Sequence, residues 1–284
     1  MVLLQPSTPF RSCRADKSQE SSLRKDYLTD SSTANSDESA FVEEFWTRVW
    51  ERQGGPQVSP ITLSRKDEYR VIAPHLCSLP AGARIMDGGC GLGEWVMALA
   101  NMGYDVVGMD ISRRTVEQLR SIFPESGFVH GDIRKTGYPD DSFDAYYSWG
   151  VFEHFEAGPG DCVREALRIL KPGGLLFISV PLDNLRQSVR GCFAKPQPGA
   201  AGDRFYQYRF TRAELARELS MAGFELAGFH PLHKRQGVLR SLHHEFGLPY
   251  EWFLTRGLSV ALSPFSPGWW VAHMMLAVAR KPGR

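Results

Sequence analysis

The chain has 284 residues, of which 43% are hydrophobic and 23% are charged, and its formal net charge is +1. This balance is that of a globular protein with one large core, and it excludes a global field that would draw the protein onto nucleic acid or an acidic membrane. The apolar run at the start is too short for a signal peptide, and the apolar stretch 269–279 falls short of the roughly 20 residues that a membrane span needs. We therefore expect a cytoplasmic protein with no nucleic-acid partner and no stable membrane insertion.

The five cysteines are scattered along the chain, at Cys13, Cys77, Cys90, Cys162 and Cys192. They form no Cys-x-x-Cys pair and have no histidines at zinc-finger spacing. Reduced thiols fit this pattern better than a disulfide framework or a structural zinc site, and we expect no metal site.

The first 38 residues are rich in Ser, Thr, Asp and Lys without an apolar period, which predicts a disordered tail before a domain over 39–284. Order is expected to begin near Ser39 with an amphipathic helix, because apolar side chains recur there along one stripe: Phe41, Val42, Phe45, Trp46, Val49 and Trp50. Such a stripe covers a sheet or forms an aromatic wall over a ligand pocket, and one helix can do both.

From Arg84 onward, strand and helix patterns alternate. Apolar strands are predicted over 84–86, 105–109, 127–129, 143–148 and 175–180, with helices over 95–101, 115–123 and 162–170. A capping box of Thr211 and Glu214 opens another helix, which ends at Gly223, and two more strands follow over 224–229 and 271–279. Nearly continuous apolar strands between helices predict an α/β fold whose parallel sheet is covered on both faces.

Two stretches fit no element of this core: 183–210, after the fifth strand, and 231–268, between the last two. Long insertions in a compact fold usually carry function. We expect both to form lids over the ligand site, on the side where a second substrate, the acceptor, binds.

A glycine-rich turn follows the first core strand, in Asp87-Gly88-Gly89-Cys90-Gly91-Leu92-Gly93. Glycines allow the backbone to approach a ligand closely, and ligands of open α/β sheets bind beyond the carboxyl ends of the strands. A dinucleotide site would have a small residue where this chain has Glu94, whose carboxylate is a poor neighbour for a pyrophosphate. S-adenosylmethionine has no phosphate and meets no such penalty.

Acidic residues end the next two strands. Asp110 can accept hydrogen bonds from both ribose hydroxyls. Asp132 can accept one from an adenine amino group while Ile133 packs on the ring. Either acid alone is compatible with an ordinary solvated loop, but their order along the strands favours a nucleoside site.

Five segments together resemble the motif series of class I S-adenosylmethionine-dependent methyltransferases: 85–93, Asp110, 132–133, 143–144 and 170–174. The resemblance covers about residues 80–230 and the last strand, and it is closest to the small-molecule branch that includes ubiquinone-biosynthesis enzymes. The Glu153-His154 pair matches that branch. Gly88 departs from it, since an apolar residue is usual there, and we expect this to weaken packing rather than donor binding.

The resemblance implies a Rossmann-like, doubly wound sheet of seven mostly parallel strands with the last one antiparallel. It implies that S-adenosylmethionine is the methyl donor, with the glycine-rich turn at its methionine end, Asp110 at the ribose and Asp132 at the adenine. The predicted donor-binding residues are Asp87, Gly88, Gly89, Cys90, Gly91, Gly93, Asp110, Ile111, Asp132, Ile133, Ser148 and Trp149.

A hydroxyl acceptor needs a base, and His154 is the candidate that the resemblance places nearest the methyl group. His233 and Glu153 are alternatives. The competing interpretation is that His154 only orders its loop. Residues 230–244 collect histidines, lysine and arginines, among them Lys234, Arg235 and Arg240. They form either a solvated basic loop or a cationic lid over an anionic acceptor.

Three functions remain open: a methyltransferase acting on a small molecule, one acting on protein or RNA, and a non-catalytic donor-binding protein. The neutral composition favours the first. The sequence does not specify the acceptor atom or the oligomeric state.

Overall fold

The structure, a computed structural model, describes residues 10–14, 23–28, 38–57, 63–184 and 204–283. Its strands are β1 Phe10–Arg14, β2 Arg24–Leu28, β3 Arg84–Gly88, β4 Asp105–Asp110, β5 Gly127–His130, β6 Phe143–Trp149, β7 Leu170–Pro181, β8 Arg204–Arg209, β9 Glu225–Leu232 and β10 Met274–Arg280. Its helices are α1 Glu38–Arg52, α2 Asp67–Leu76, α3 Glu94–Ala100, α4 Arg113–Ile122, α5 Gly160–Ile169, α6 Arg212–Ala222, α7 Lys234–Phe246, α8 Phe253–Leu262 and α9 Gly268–Val271.

Seven strands form the main sheet, in the order β5-β4-β3-β6-β7-β10-β9. Pairs from β5 to β7 are parallel, whereas β10 runs antiparallel to both β7 and β9. The strand order reverses between β3 and β6, so the carboxyl ends of these strands flank a crevice where ligands of such sheets bind. The predicted fold is confirmed.

The predicted helices form, with ends that follow from local chemistry. Thr211 and Glu214 make the capping box of α6, and Gly223 ends that helix with a φ of 105°. Two clusters of buried apolar residues accompany the sheet: one includes Phe143, Ile178 and Leu215, and the other Ile85, Val96 and Phe177. Alternate side chains of the strands point to opposite faces, so this division is what a sheet covered on both sides requires.

The expectation of disorder through residue 38 is wrong for two segments. Strands β1 and β2 join β8, from the first insertion, in a separate three-stranded antiparallel sheet. Asp26 of β2 is 1% exposed and accepts hydrogen bonds from Gln207 and Arg209 of β8. Polar residues of the N-terminal segment therefore order by pairing with a distant strand, which no local period reveals.

The second insertion is largely helical. Strand β9 extends to Leu232, and α7 and α8 follow. Helix α7 is anchored by Gly237, where an added Cβ would come within 1.6 Å of the Val271 carbonyl oxygen.

Helix α8 has an inverted pattern of burial. Its Thr255 and Ser259 are fully buried, whereas Phe253 is 73% exposed. Trp252 and Trp270 are also more than two-fifths exposed, whereas Trp269 packs on the core. The insertion is therefore not docked through most of its aromatic side chains. No helix among the described residues is long and apolar enough to cross a membrane.

Candidate functional site

A cavity of about 200 Å³ lies at the carboxyl ends of β3, β4 and β6. The glycine-rich turn and the loop after β6 both line it. Helix α1 contributes Trp46 and Trp50, strand β8 contributes Tyr206, Gln207 and Arg209, and α7 contributes Arg240. Both insertions and the aromatic helix thus meet over the switch point of the sheet.

The glycine-rich turn is packed too tightly for side chains. The amide of Gly89 donates to the Met109 carbonyl at 2.8 Å and the residue has a φ of 87°. A Cβ on Gly89 would lie 2.4 Å from Val151, and one on Gly91 would lie 2.8 Å from Trp50. The turn therefore presents backbone to the cavity while it touches both the loop after β6 and helix α1.

Asp110 ends β4 with its carboxylate 5% exposed and in the cavity wall. One oxygen accepts from the Gly91 amide at 2.8 Å and the other from the Ser112 amide at 2.9 Å. Burial raises the pKa of Asp110, and these amides counteract that rise. Each oxygen keeps a second lone pair, and a diol can donate to both.

Asp132 and Ile133 line the cavity beside Asp110. Arg134, which sequence reasoning missed, holds the Asp132 carboxylate at 2.7 Å and also pairs with Glu38 of α1 at 3.2 Å. The sequence feature that indicates this contact is an arginine two residues after Asp132. Arg134 thereby orients Asp132 and ties α1 to the cavity rim.

Most of the predicted donor residues meet in this cavity, but three do not line it: Gly88, Gly93 and Ser148. They pack behind the residues that line the cavity. The Ser148 hydroxyl donates to the Gly88 carbonyl at 2.5 Å, and a Cβ on Gly93 would lie 2.7 Å from Phe128. These residues shape the turn and its packing.

Glu153 and His154 form a 3₁₀ turn in the cavity wall and are 2% and 7% exposed. The Nδ1 of His154 lies 2.8 Å from the Tyr206 carbonyl oxygen, which only accepts, so this nitrogen carries the proton and Nε2 is the acceptor. Burial lowers the pKa of His154 to about 4, and burial raises the pKa of Glu153 to about 8. Both groups are therefore uncharged in the ligand-free site at neutral pH.

Two guanidinium groups, Arg209 and Arg240, enter the same cavity from different elements. Burial lowers the pKa of Arg240, and the neighbouring charge of Arg209 lowers it further. Arg209 is paired with Asp26 at 2.7 Å. Two desolvated cations at one end of a cavity favour an anionic ligand, because an anion relieves their mutual repulsion.

Other members of the basic segment point elsewhere. His233 pairs with buried Glu68 at 2.9 Å outside the cavity. Burial alone would raise the pKa of Glu68, but the hydrogen bond and the charge of His233, together with a backbone hydrogen bond, outweigh it and the net pKa is lowered. Lys234 donates to the Pro264 carbonyl, and Arg235 is exposed. The alternative of His233 as the base is therefore wrong, and of the three cations named for the lid only Arg240 reaches the cavity.

Residues 86–178 match a family described as a methyltransferase domain. The chain is 28% identical over 158 residues to a probable S-adenosylmethionine-dependent methyltransferase of Mycolicibacterium smegmatis, covering 56% of this chain and 58% of that protein. It is 33% identical over 161 residues to a ubiquinone biosynthesis O-methyltransferase of Xanthomonas axonopodis pv. citri, covering 52% and 64% respectively. The chain thus spans less than two thirds of the length of these relatives.

Solved structures share the fold. A Burkholderia thailandensis 1,6-didemethyltoxoflavin-N1-methyltransferase, with bound 1,6-didemethyltoxoflavin and S-adenosylhomocysteine, has a TM-score of 0.56 at 15% identity, covering 95% of this chain and 99% of that one. A methyltransferase from Haloferax volcanii in complex with the Trm112 activator has a TM-score of 0.57 at 20% identity, with coverages of 85% and 97%.

Proposed function

We propose that this chain, whose residues 86–178 belong to the methyltransferase domain family, transfers a methyl group from S-adenosylmethionine to a small molecule with an anionic group and an apolar part. The observation that carries the proposal is one continuous cavity. Its lining combines the glycine-rich turn and Asp110 with Arg209, Arg240 and aromatic side chains.

The glycine-rich turn and the acidic residues beside it fit the donor. Gly89 and Gly91 leave room for a ligand against the backbone, and Asp110 offers lone pairs to a ribose. The buried Oδ1 of Asp87 lines the cavity without a hydrogen-bond partner among the described residues, and it suits the ammonium of a methionine moiety. Asp132 and Ile133 flank the place for the adenine. Glu94 would repel a pyrophosphate. It is paired with Lys66 at 2.5 Å, so the negative charge of Glu94 is partly offset.

When bound, S-adenosylmethionine supplies a methyl group on a positively charged sulfur. The protein's contribution is to align the acceptor and to exclude water. Trp46, Trp50 and Tyr206 enclose the cavity with aromatic surface. The neutral imidazole of His154 offers Nε2 as a hydrogen-bond acceptor, but a group with a pKa of about 4 holds a proton weakly. His154 therefore orients an acceptor hydroxyl better than it deprotonates one.

Isothermal titration calorimetry with S-adenosylmethionine, S-adenosylhomocysteine and NAD tests the donor half of the proposal. We expect binding of both sulfur ligands and no binding of NAD. Binding of NAD without either sulfur ligand would overturn the proposed function.

Transfer of a labelled methyl group to pooled metabolites tests the acceptor half, with anionic and cationic pools compared and EDTA added in parallel. Label is expected in low-molecular-weight anionic products, with or without EDTA. Label in added protein or RNA instead, or donor binding with no transfer to any acceptor, would contradict this half.

A further inference from the structure

One oxygen of Glu153 stands out in the cavity wall. The side chain is 2% exposed, and its Oε2 has no hydrogen-bond partner among the described residues. No lysine or arginine of the described residues forms an ion pair with it. A buried acceptor left without a partner costs about 1–3 kcal/mol, and in a cavity wall a ligand can supply the missing partner.

The titratable groups that face Glu153 come from several elements. On its own turn, Nε2 of His154 lies 3.8 Å from Oε1. Strand β8 contributes Tyr206, whose pKa is raised by burial and by the charge of Glu153, together with Arg209. Helix α7 contributes Arg240 to the same cavity, and His273 precedes β10 there. The two arginines occupy the cavity without forming an ion pair with this carboxyl group.

Glu153 is also close to the end of the cavity proposed for the donor. A Cβ on Gly150 would lie 3.3 Å from Oε1 of Glu153, and the next residue, Val151, packs against Gly89 of the glycine-rich turn. The turn that is proposed to hold the methionine moiety and the turn that carries Glu153 are therefore adjacent across the wall.

We propose that Glu153 is the proton acceptor of the reaction, that the positive charge of the bound donor ionises it, and that the methylated atom is a hydroxyl oxygen. This inference rests on the proposed function. The carboxyl group is neutral in the ligand-free site because of burial, and a cation placed beside it favours its ionised form. Its basicity is then switched on only when the donor is present.

In the transfer step the acceptor's O–H bond breaks and its proton passes to Oε2 of Glu153. The electron pair of that oxygen forms the new O–C bond, and the S–C bond breaks with its pair returning to sulfur. Charge balances, since a sulfonium and a carboxylate become a neutral thioether and a carboxylic acid. A hydroxyl oxygen becomes a strong nucleophile only as its proton leaves, so a base beside the methyl group is what a hydroxyl acceptor requires.

The donor and its demethylated product differ in the charge on sulfur, and this difference isolates Glu153 from other groups. Asp87, Asp110 and the amino group of the ligand take part in binding both molecules, so the part of their titration that does not depend on the charge on sulfur cancels in the ratio of the two affinities. If the sulfonium lowers the pKa of Glu153, donor binding releases a proton, strengthens as pH rises towards the ligand-free pKa of about 8 and levels off above it. Product binding lacks this component.

Calorimetry across about pH 6.5 to about pH 9 measures the ratio of product Kd to donor Kd. For the wild type we expect this ratio to rise about tenfold for each unit by which the sulfonium lowers the pKa. Glu153→Gln should give a flat ratio while still binding both ligands. Glu156→Gln, an exposed neighbour three residues on, is the matched control and should behave as wild type.

Titrations of the wild type in buffers of different ionisation enthalpy provide a readout that does not depend on a folded variant. Near neutral pH, donor binding should release protons in excess of product binding. Equal proton release, or a pH-dependent ratio that persists in Glu153→Gln, would overturn the role of Glu153. A protein that binds neither ligand would instead overturn the proposed function itself.

Discussion

Gly88 and Tyr146 lie on neighbouring strands, β3 and β6, and fit each other. A Cβ on Gly88 would lie 2.0 Å from the Tyr146 hydroxyl oxygen and 2.6 Å from its Cζ. The expectation that a glycine here weakens packing is therefore wrong, because the tyrosine ring fills the space that a larger residue would take. The phenol is fully buried and its hydroxyl has no partner among the described residues.

Gly88→Ala should lower the free energy of unfolding by about 1–3 kcal/mol, as overpacking of a filled core does. Tyr146→Phe should be close to neutral, since the lost hydroxyl makes no hydrogen bond, and it should recover part of the loss when combined with Gly88→Ala. Urea unfolding of the two single variants and the double variant measures the coupling. Additive effects would show that the two residues do not share this space.

Asp110 is the acid on which the proposed ribose contact depends. Asp110→Ala should weaken donor binding by about tenfold to a hundredfold, because hydrogen bonds to a charged acceptor contribute roughly 1.5–3 kcal/mol each and water replaces part of that. Asp105→Ala, at the opposite end of the same strand and exposed, is the control. An unchanged Kd in Asp110→Ala would place the ribose elsewhere.

Among the elements, α7 and β8 supply the two arginines that line the cavity. Strand β8 belongs to the first insertion and α7 to the second. Arg209 of β8 and Arg240 of α7 are neighbours in the cavity. Helix α1 adds Trp46 to the cavity wall, where its ring lies 4.9 Å from the His154 ring. The aromatic stripe thus both covers the fold and forms a wall of the cavity, so its two alternative interpretations hold together.

Arg240→Met should leave the donor Kd within about threefold and abolish the binding of small anions, since it removes one of the two cations at that end. Inorganic phosphate serves as the probe, and its effect on Tm is measured by thermal denaturation. Arg235→Met, on the exposed side of the same helix, should keep the phosphate response. A response unchanged in Arg240→Met would contradict an anion site there.

At the scale of the whole molecule, the N-terminal segment is tied to the middle of the chain through one buried acid. Asp26 accepts from Arg209, 183 residues away, and Arg24 pairs with Asp183 at 3.3 Å. The small sheet formed by β1, β2 and β8 therefore holds the first insertion against the core and steadies one arginine of the cavity.

Asp26→Asn should lower the free energy of unfolding by about 3–5 kcal/mol, the usual effect of removing one partner of a buried ion pair. Asp161→Asn breaks an exposed pair with Arg164 and should change it by less than about 1 kcal/mol. Chemical denaturation compares them. Equal effects would mean that the Asp26 pair is solvated like a surface pair.

The sequence alone was sufficient for the layered fold, and it singled out the glycine-rich turn, Asp110 and Asp132, which line one cavity. Apolar periods, caps and glycine turns act within a few residues, and Asp110 and Asp132 lie at or just after the ends of strands that such periods reveal. The glycine-rich turn was found in the same way, because its backbone geometry depends on its own residues.

Only the tertiary structure shows the ion pairs of Asp26 with Arg209 and of Arg134 with Asp132. It alone also shows that Arg240 lies in the cavity rather than in solvent. Each of these contacts depends on which distant segments meet, and a local pattern carries no information about that. The same holds for the protonation of Glu153 and His154, whose opposite pKa shifts arise from burial by several elements together. The identity of these residues is local, whereas their chemistry is set by what surrounds them.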